Sequence, residues 1–198
     1  MTPTIRRASD GADVAAAADL IARAMDHLGA CHYLVPDAGL RLSVMRGWFH
    51  ILTEHAANGA GEVLLTGDGS AVTVWFDRTR EPAEPDGYEK RLADVAGDFI
   101  DRFHELDNLF EANHPVESHW HGAFFAVDPH RWGQGLGTAL ISHKLTRLDR
   151  EGVPSYLEAT NHDSQRLYVR LGFRDLDPSE LPLGDGTPFY RMWRAVGG

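Results

Sequence analysis

Cysteine is almost missing from this chain: one residue in 198, Cys31. A lone thiol excludes an internal disulfide and fits a reducing compartment. No stretch approaches the roughly 20 apolar residues that a membrane-spanning helix needs. The opening MTPTIRRASDGAD has arginines with no apolar segment behind them, unlike a secretory signal. These absences lead us to expect a cytoplasmic protein without membrane contact. Basic charge is also short, with 19 Lys and Arg against 29 Asp and Glu and a formal net charge of −10. A nucleic-acid binder normally shows a basic face, so that class is set aside. The acidic balance serves solubility and is compatible with a cationic amine as substrate, which an acidic cleft would concentrate.

Repeats, low-complexity tracts and a second domain are absent as well, so residues 1–198 read as one domain. The 43% hydrophobic and 24% charged residues are the proportions of a soluble globular protein, and the length suffices for a substantial core. Ile5 to Ala8 reads as a first strand. A helix follows over 13–28, with Val14, Ala17, Leu20, Ile21, Ala24, Met25 and Leu28 on one stripe and Gly29 as its stop. Cys31 falls in the loop beyond. A second helix is expected over 40–57, then strands over 62–66 and 71–76 joined by Gly67-Asp68-Gly69. The stretch 88–112 has Leu92, Val95, Phe99, Phe103, Leu106 and Phe110 at helical spacing. A central strand over 119–127, a helix over 135–150, a strand over 155–159 and a short helix over 164–171 come next. Strands over 173–176 and 187–196 close the chain as an antiparallel pair. This order describes a mixed α/β sheet.

The richest stretch is His121 to Leu140, HGAFFAVDPHRWGQGLGTAL. An apolar strand ends in Val127-Asp128-Pro129, and glycines at 133, 135 and 137 let a backbone approach a bulky ligand. The amides of Gly133 to Thr138 fall at or just before a helix N-terminus, where unpaired N–H groups and the helix dipole favour a phosphate. A nucleotide P-loop would end in Gly-Lys-Ser/Thr, but here Gly137-Thr138-Ala139 carries no lysine. A dinucleotide fingerprint would put its third glycine where Thr138 stands. A tight turn serving packing alone is the remaining reading of the glycines.

FFAVDPHRWGQGLGTALI resembles the acetyl-CoA motif of the GNAT superfamily of acyl-CoA N-acyltransferases, Gln/Arg-x-x-Gly-x-Gly/Ala after a strand ending in Val-x-Pro. Tyr156 to Asn161, continuing through Leu167-Tyr168 to Gly172-Phe173, resembles the superfamily's C-terminal signature, with Asn and Tyr seven residues apart. Pro188 to Arg194 is similar to the last strand of antibiotic-acetyltransferase-like members. Trp132 departs from the motif's Gln/Arg and leaves the backbone amides to hold the pyrophosphate. The resemblance implies the GNAT fold: a mixed central sheet flanked by helices, with the C-terminal antiparallel pair. It implies acetyl-CoA as co-substrate, no metal, and a small-molecule primary amine as acceptor. The cofactor would be held by Phe125, Ala126, Val127, Trp132, Gly133, Gln134, Gly135, Leu136, Gly137, Thr138 and Asn161. For Asn161, a helix cap is the alternative role.

Acyl transfer to an amine sets three chemical demands. An alkylammonium with pKa near ~10 is only about one part in a thousand neutral at pH 7, a hurdle of roughly 4 kcal/mol. The developing oxyanion needs a preplaced N–H. The leaving thiolate, of pKa near ~8.5, departs more easily when protonated. Tyr168 is the candidate acid in the resemblance; a core tyrosine is the plainer reading. Glu158, at the end of its strand, could relay a proton through water as base. His119 and His121 share one strand face and are rival bases, or plain polar residues at the strand's start. His114, His119 and His121 match no dedicated zinc spacing. Trp48, Trp75, Phe76 and Tyr33 are candidates for the acceptor pocket, though aromatics of this kind also build cores. Transfer of a longer acyl group and a non-catalytic CoA-binding or regulatory role stay open, as does monomer or homodimer.

Overall fold

Seven strands form one sheet in the order β1-β2-β3-β4-β5-β7-β6. They are β1 (Ile5–Arg7), β2 (Gly61–Thr66), β3 (Ala71–Arg78), β4 (His119–Val127), β5 (Ser155–Ala159), β6 (Arg174–Pro182) and β7 (Pro188–Arg194) in the computed structural model, which describes residues 3–198. Every neighbouring pair is antiparallel except β4 with β5. The helices are α1 (Gly11–Met25), α2 (Gly29–Leu34), α3 (Ala38–His55), α4 (Tyr88–Ala96), α5 (Ile100–Asn113), α6 (Leu136–Glu151) and α7 (His162–Arg170).

Local chemistry sets the helix starts. The Asp10 carboxylate accepts from the N–H groups of Ala12 and Asp13, each at 3.0 Å, and opens α1. Asp37 does the same for α3 through Gly39 and Leu40. Each satisfies donors that a helix N-terminus leaves orphaned. The apolar stripe of α1 buries Val14, Ala17, Leu20, Ile21 and Ala24 as its periodicity predicts.

The structure corrects three expectations. Gly29 does not stop a helix: α1 ends at Met25, and Gly29 opens the short α2, so Cys31 lies buried on a helix and not in a loop. Burial pushes its thiol up to about 12, which leaves it protonated and unreactive. The expected helix over 88–112 is two helices, because Gly97 takes φ +52° and turns the chain through a tight 3₁₀ turn at Gly97–Phe99. The penultimate strand runs to Pro182, well past Leu176, with its ladder interrupted between Asp175 and Glu180.

Two cores lie against the two faces of the sheet. One packs Met45, Trp48, Phe49, Leu92, Phe103 and Leu106, from α3, α4 and α5, together with α1, against Val63, Val72, Val74 and Ala126. The other packs Ile141, Leu145 and Leu148 of α6 against Trp75, Leu157 and Met192, with Tyr168 of α7 alongside. Trp48 and Trp75 are therefore core residues, 6% and 0% exposed.

One irregularity shapes the middle of the sheet. Val74 pairs with Phe124 but Trp75 with Gly122, so Ala123 is an extra residue bulging from β4. The parallel pairing of β4 with β5 covers only Trp120 to Gly122 against Ser155 to Leu157. Beyond it, β4 continues on β3 alone and β5 on β7 alone, and a wedge opens between them.

Candidate active site

At the mouth of the wedge, Pro129–Arg131 forms a 3₁₀ turn and Trp132 to Gly135 leads into α6. Gly133 and Gly135 both have φ +76°, and nothing lies within 4 Å of a Cβ built on either. Backbone conformation, not crowding, demands glycine there. The first helical bond runs from the Ala139 N–H to the Gly135 carbonyl at 2.9 Å. The amides of Leu136, Gly137 and Thr138 precede it, and no side chain caps them. That is a cluster of free donors at the positive end of a 16-residue helix.

The wedge itself offers backbone. Asp128 donates its N–H to Ser70 of the β3 side at 2.8 Å. Antiparallel alternation then turns the N–H and C=O of Ala126 to β3, and those of Phe125 and Val127 into the wedge. The Trp132 indole N–H donates to the Val127 carbonyl at 2.8 Å, and its ring lies edge-on to His27 at 5.6 Å. Gln134 accepts from the Arg131 guanidinium at 2.8 Å and holds the turn.

Tyr168 and Glu158 flank the wedge from opposite faces. Tyr168 is half-buried on α7, its ring T-shaped against Phe125 at 5.8 Å and near Phe173 at 6.0 Å. Its hydroxyl has no hydrogen-bond partner among the described residues, and burial raises its pKa, so the proton stays on. Glu158 lies one residue past the last β4–β5 pair, its side chain 4% exposed, with its Oε2 2.7 Å from the Nε2 of His121. Its Oε1 and the Nδ1 of His121 are buried without partners.

A sequence model of the acetyltransferase (GNAT) family matches residues 102–173, the span holding the cradle, the wedge, Glu158 and Tyr168. Among solved structures, the chain is similar to a Corynebacterium glutamicum protein titled histone acetyltransferase HPA2 and related acetyltransferase. That likeness has 27% identity and a TM-score of 0.76, covering 100% of this chain and 98% of that one. The chain is thus similar to GNAT acetyltransferases, in sequence over residues 102–173 and in fold over its whole length. Two more distant structures share the fold: a GCN5-related N-acetyltransferase from Rhodopseudomonas palustris, and Ard1 from Thermoplasma volcanium. The first has 12% identity and a TM-score of 0.61, covering 99% and 97% of the two chains. The second has 18% identity and a TM-score of 0.53, covering 100% of both.

That likeness supports an acetyl-CoA-dependent N-acetyltransferase, and the residues present suit that co-substrate. The free amides at α6 can take a pyrophosphate, and the inward-facing groups of Phe125 and Val127 can take an extended amide-bearing arm. Asn161 acts as a helix cap: its Oδ1 accepts from the Ser164 N–H at 2.9 Å and the Ser164 hydroxyl donates back to the Asn161 carbonyl at 2.8 Å. Only its Nδ2, 3.5 Å from Thr160 Oγ1, is left to meet a ligand.

The sequence did not reveal what surrounds Glu158. His114, from the end of α5, stacks over His119, His121 and Tyr156 with ring centroids 4.9 to 5.1 Å away. His119 and His114 approach at 3.1 Å between their Nε2 atoms. Burial, then His121, Arg78, His119 and Arg191, press the His114 imidazole down to about 2, and His119 is lowered for similar reasons. Both stay neutral. Arg78 of β3 and Arg191 of β7 close the group, each with a buried Nε lacking a partner. No arrangement of three or more His, Cys, Asp or Glu side chains among the described residues could hold a metal ion.

Proposed function

We propose that this protein acetylates the primary amine of a small molecule, with Tyr168 as general acid and the His121–Glu158 pair as general base. The observation that carries this reading is the placement of Tyr168 and Glu158 on opposite faces of one wedge, with the α6 cradle at its mouth. Acetyl-CoA would supply the activated thioester. The amides of Gly133 to Thr138 would hold its pyrophosphate, and the edge of β4 at Phe125 and Val127 its arm. A Val127 or Phe125 N–H can meet charge developing on the carbonyl oxygen. Glu158 takes the ammonium proton, and His121 shares the charge through their 2.7 Å bond. As the C–S bond breaks, Tyr168, protonated at neutral pH, donates its proton to the departing sulfur from the other face, and the second proton shed by the newly acylated nitrogen returns the phenolate to its neutral form.

Enclosure favours a small acceptor over an extended peptide. The Glu158 and His121 side chains are 4% and 10% exposed. The turn between β6 and β7 is fastened over that side, because the Gly184 N–H donates to Glu105 of α5 at 2.7 Å while Tyr33 of α2 donates to the same carboxylate. The testing experiment is calorimetric titration with acetyl-CoA, with ATP as control, followed by thiol release over a panel of amines. Micromolar acetyl-CoA binding with amine-dependent release supports the reading. Binding without turnover of any small amine would refute it.

A further inference from the structure

Among the arginines out of full solvent contact, Arg41 holds Asp26, Arg147 holds Glu62 and Arg194 holds Asp149, while Arg102 donates to the Tyr33 carbonyl and lies over the Tyr33 ring. Arg78 and Arg191 differ from all of these. Both are half-buried, neither has a carboxylate within 4 Å among the described residues, and each leaves a buried Nε unsatisfied. Arg191 donates from its Nη1 to the Pro178 carbonyl at 3.1 Å.

Their positions give the vacancy a meaning. Arg191 sits directly across the β5–β7 ladder from Glu158, and Arg78 across the β3–β4 ladder from His119. With His114, His119, His121 and Tyr156 they line the same side of the sheet as Glu158. The Tyr156 hydroxyl, the Glu158 Oε1 and the His121 Nδ1 are also buried without partners. The Nε atoms of both arginines, the Glu158 Oε1 and the His121 Nδ1 thus gather unmatched polar capacity in one place, and each such buried group costs about 1–3 kcal/mol when left unpaired. Glu111 of α5 and Glu158 act on Arg78 from beyond ion-pair distance. Within the buried shell the two guanidinium groups face a single carboxylate, that of Glu158, which lies beyond ion-pair distance of both.

We propose that Arg78 and Arg191 hold a carboxylate carried by the acceptor itself, so that the substrate is an amino acid or similar amine-bearing carboxylic acid. This rests on the acetyl-transfer reading above and names its substrate class. A guanidinium fork matches a carboxylate in geometry and charge, and a doubly charged group would repel Glu158. The acceptor's ammonium then falls beside Glu158, one cross-strand neighbour from Arg191.

The test measures thiol release from acetyl-CoA with each common amino acid and with the amine left by its decarboxylation. The wild-type protein is expected to favour at least one acid over its matched amine by about tenfold or more in kcat/KM, since a site built for a polar group rejects the analogue lacking it. Arg78→Gln and Arg191→Gln are each expected to shrink that ratio mainly through KM, with acetyl-CoA affinity and melting temperature held. Arg191→Lys should recover part of it. Equal turnover of acid and amine, or turnover of amines alone, overturns the proposal and leaves the acetyl-transfer reading standing. Should acetyl-CoA fail to bind, that reading fails instead, and titrating the amino acids into the protein decides the anion site directly. Binding that both glutamine variants lose supports it, and no binding overturns it.

Discussion

Two buried charged groups occupy opposite faces of the sheet. On the α6 face, Glu62 of β2 receives Lys144 at 2.8 Å, Arg147 at 2.8 Å through its other oxygen, and Arg7 from outside. Lys144 also sits over the Trp120 ring, 3.1 Å from its centroid. Both Glu62 oxygens are engaged. On the other face, the group around Glu158 leaves atoms of Arg78, His121, Tyr156, Glu158 and Arg191 unmatched. A satisfied network fixes β2 against α6, whereas the unsatisfied one is where the proposed substrate would bind.

Substitutions that remove one carboxylate at a time should separate the two groups. Glu62→Gln is expected to cost the most, about 3 kcal/mol of stability, since it strands a buried ammonium. Chemical denaturation checks this, and turnover at a permissive temperature should be retained. Glu158→Gln is expected to do the reverse: kcat falls about a hundredfold, roughly 2.7 kcal/mol in the barrier, with the unfolding midpoint little changed. A denaturation midpoint that dropped as far as that of Glu62→Gln would make Glu158 a structural residue. Tyr168→Phe should lower turnover about tenfold, roughly 1.4 kcal/mol, with unchanged acetyl-CoA affinity by calorimetry. The mildest effect concerns acid. Burial alone would raise the Glu62 carboxyl, but the bonds from Arg147 and Lys144 outweigh it and bring the group down from 4.5 to about 2. A carboxylate so depressed contributes stability that is complete above pH ~4.5 and lost as pH falls toward ~2. Melting curves across that window should drop for the native chain and drop less for Glu62→Gln.

Local signals in the sequence carried the cradle. The strand ending at Val127, the glycines at 133 and 135 and the stripe of α6 lie in one continuous segment, and periodicity with glycine chemistry suffices for such a segment. Gly29 misled, and the break at Gly97 went unread, for a related reason. A glycine marks a backbone option without saying whether the chain uses it to break a helix or to begin one. Glu158 and His121 were each singled out as candidate bases, but their pairing was beyond reach because they are 37 positions apart and meet only through the parallel β4–β5 register. Arg78 and Arg191 belong to strands that never touch one another, and only the sheet order brings them to the same group. Asn161 carried two readings in the sequence, cofactor contact and helix cap, and its geometry shows the cap.

The wedge between β4 and β5 has a further consequence, for how this molecule avoids its neighbours. Unpaired strand backbone is adhesive and recruits strands from other chains. The outer margins of this sheet are poorly suited to that: β1 has three residues, and β6 carries Pro178 and Pro182 among charged side chains. The open backbone of Phe125 and Val127 lies instead mid-sheet, with the indole of Trp132 already on one carbonyl. The protein keeps its stickiest edge indoors.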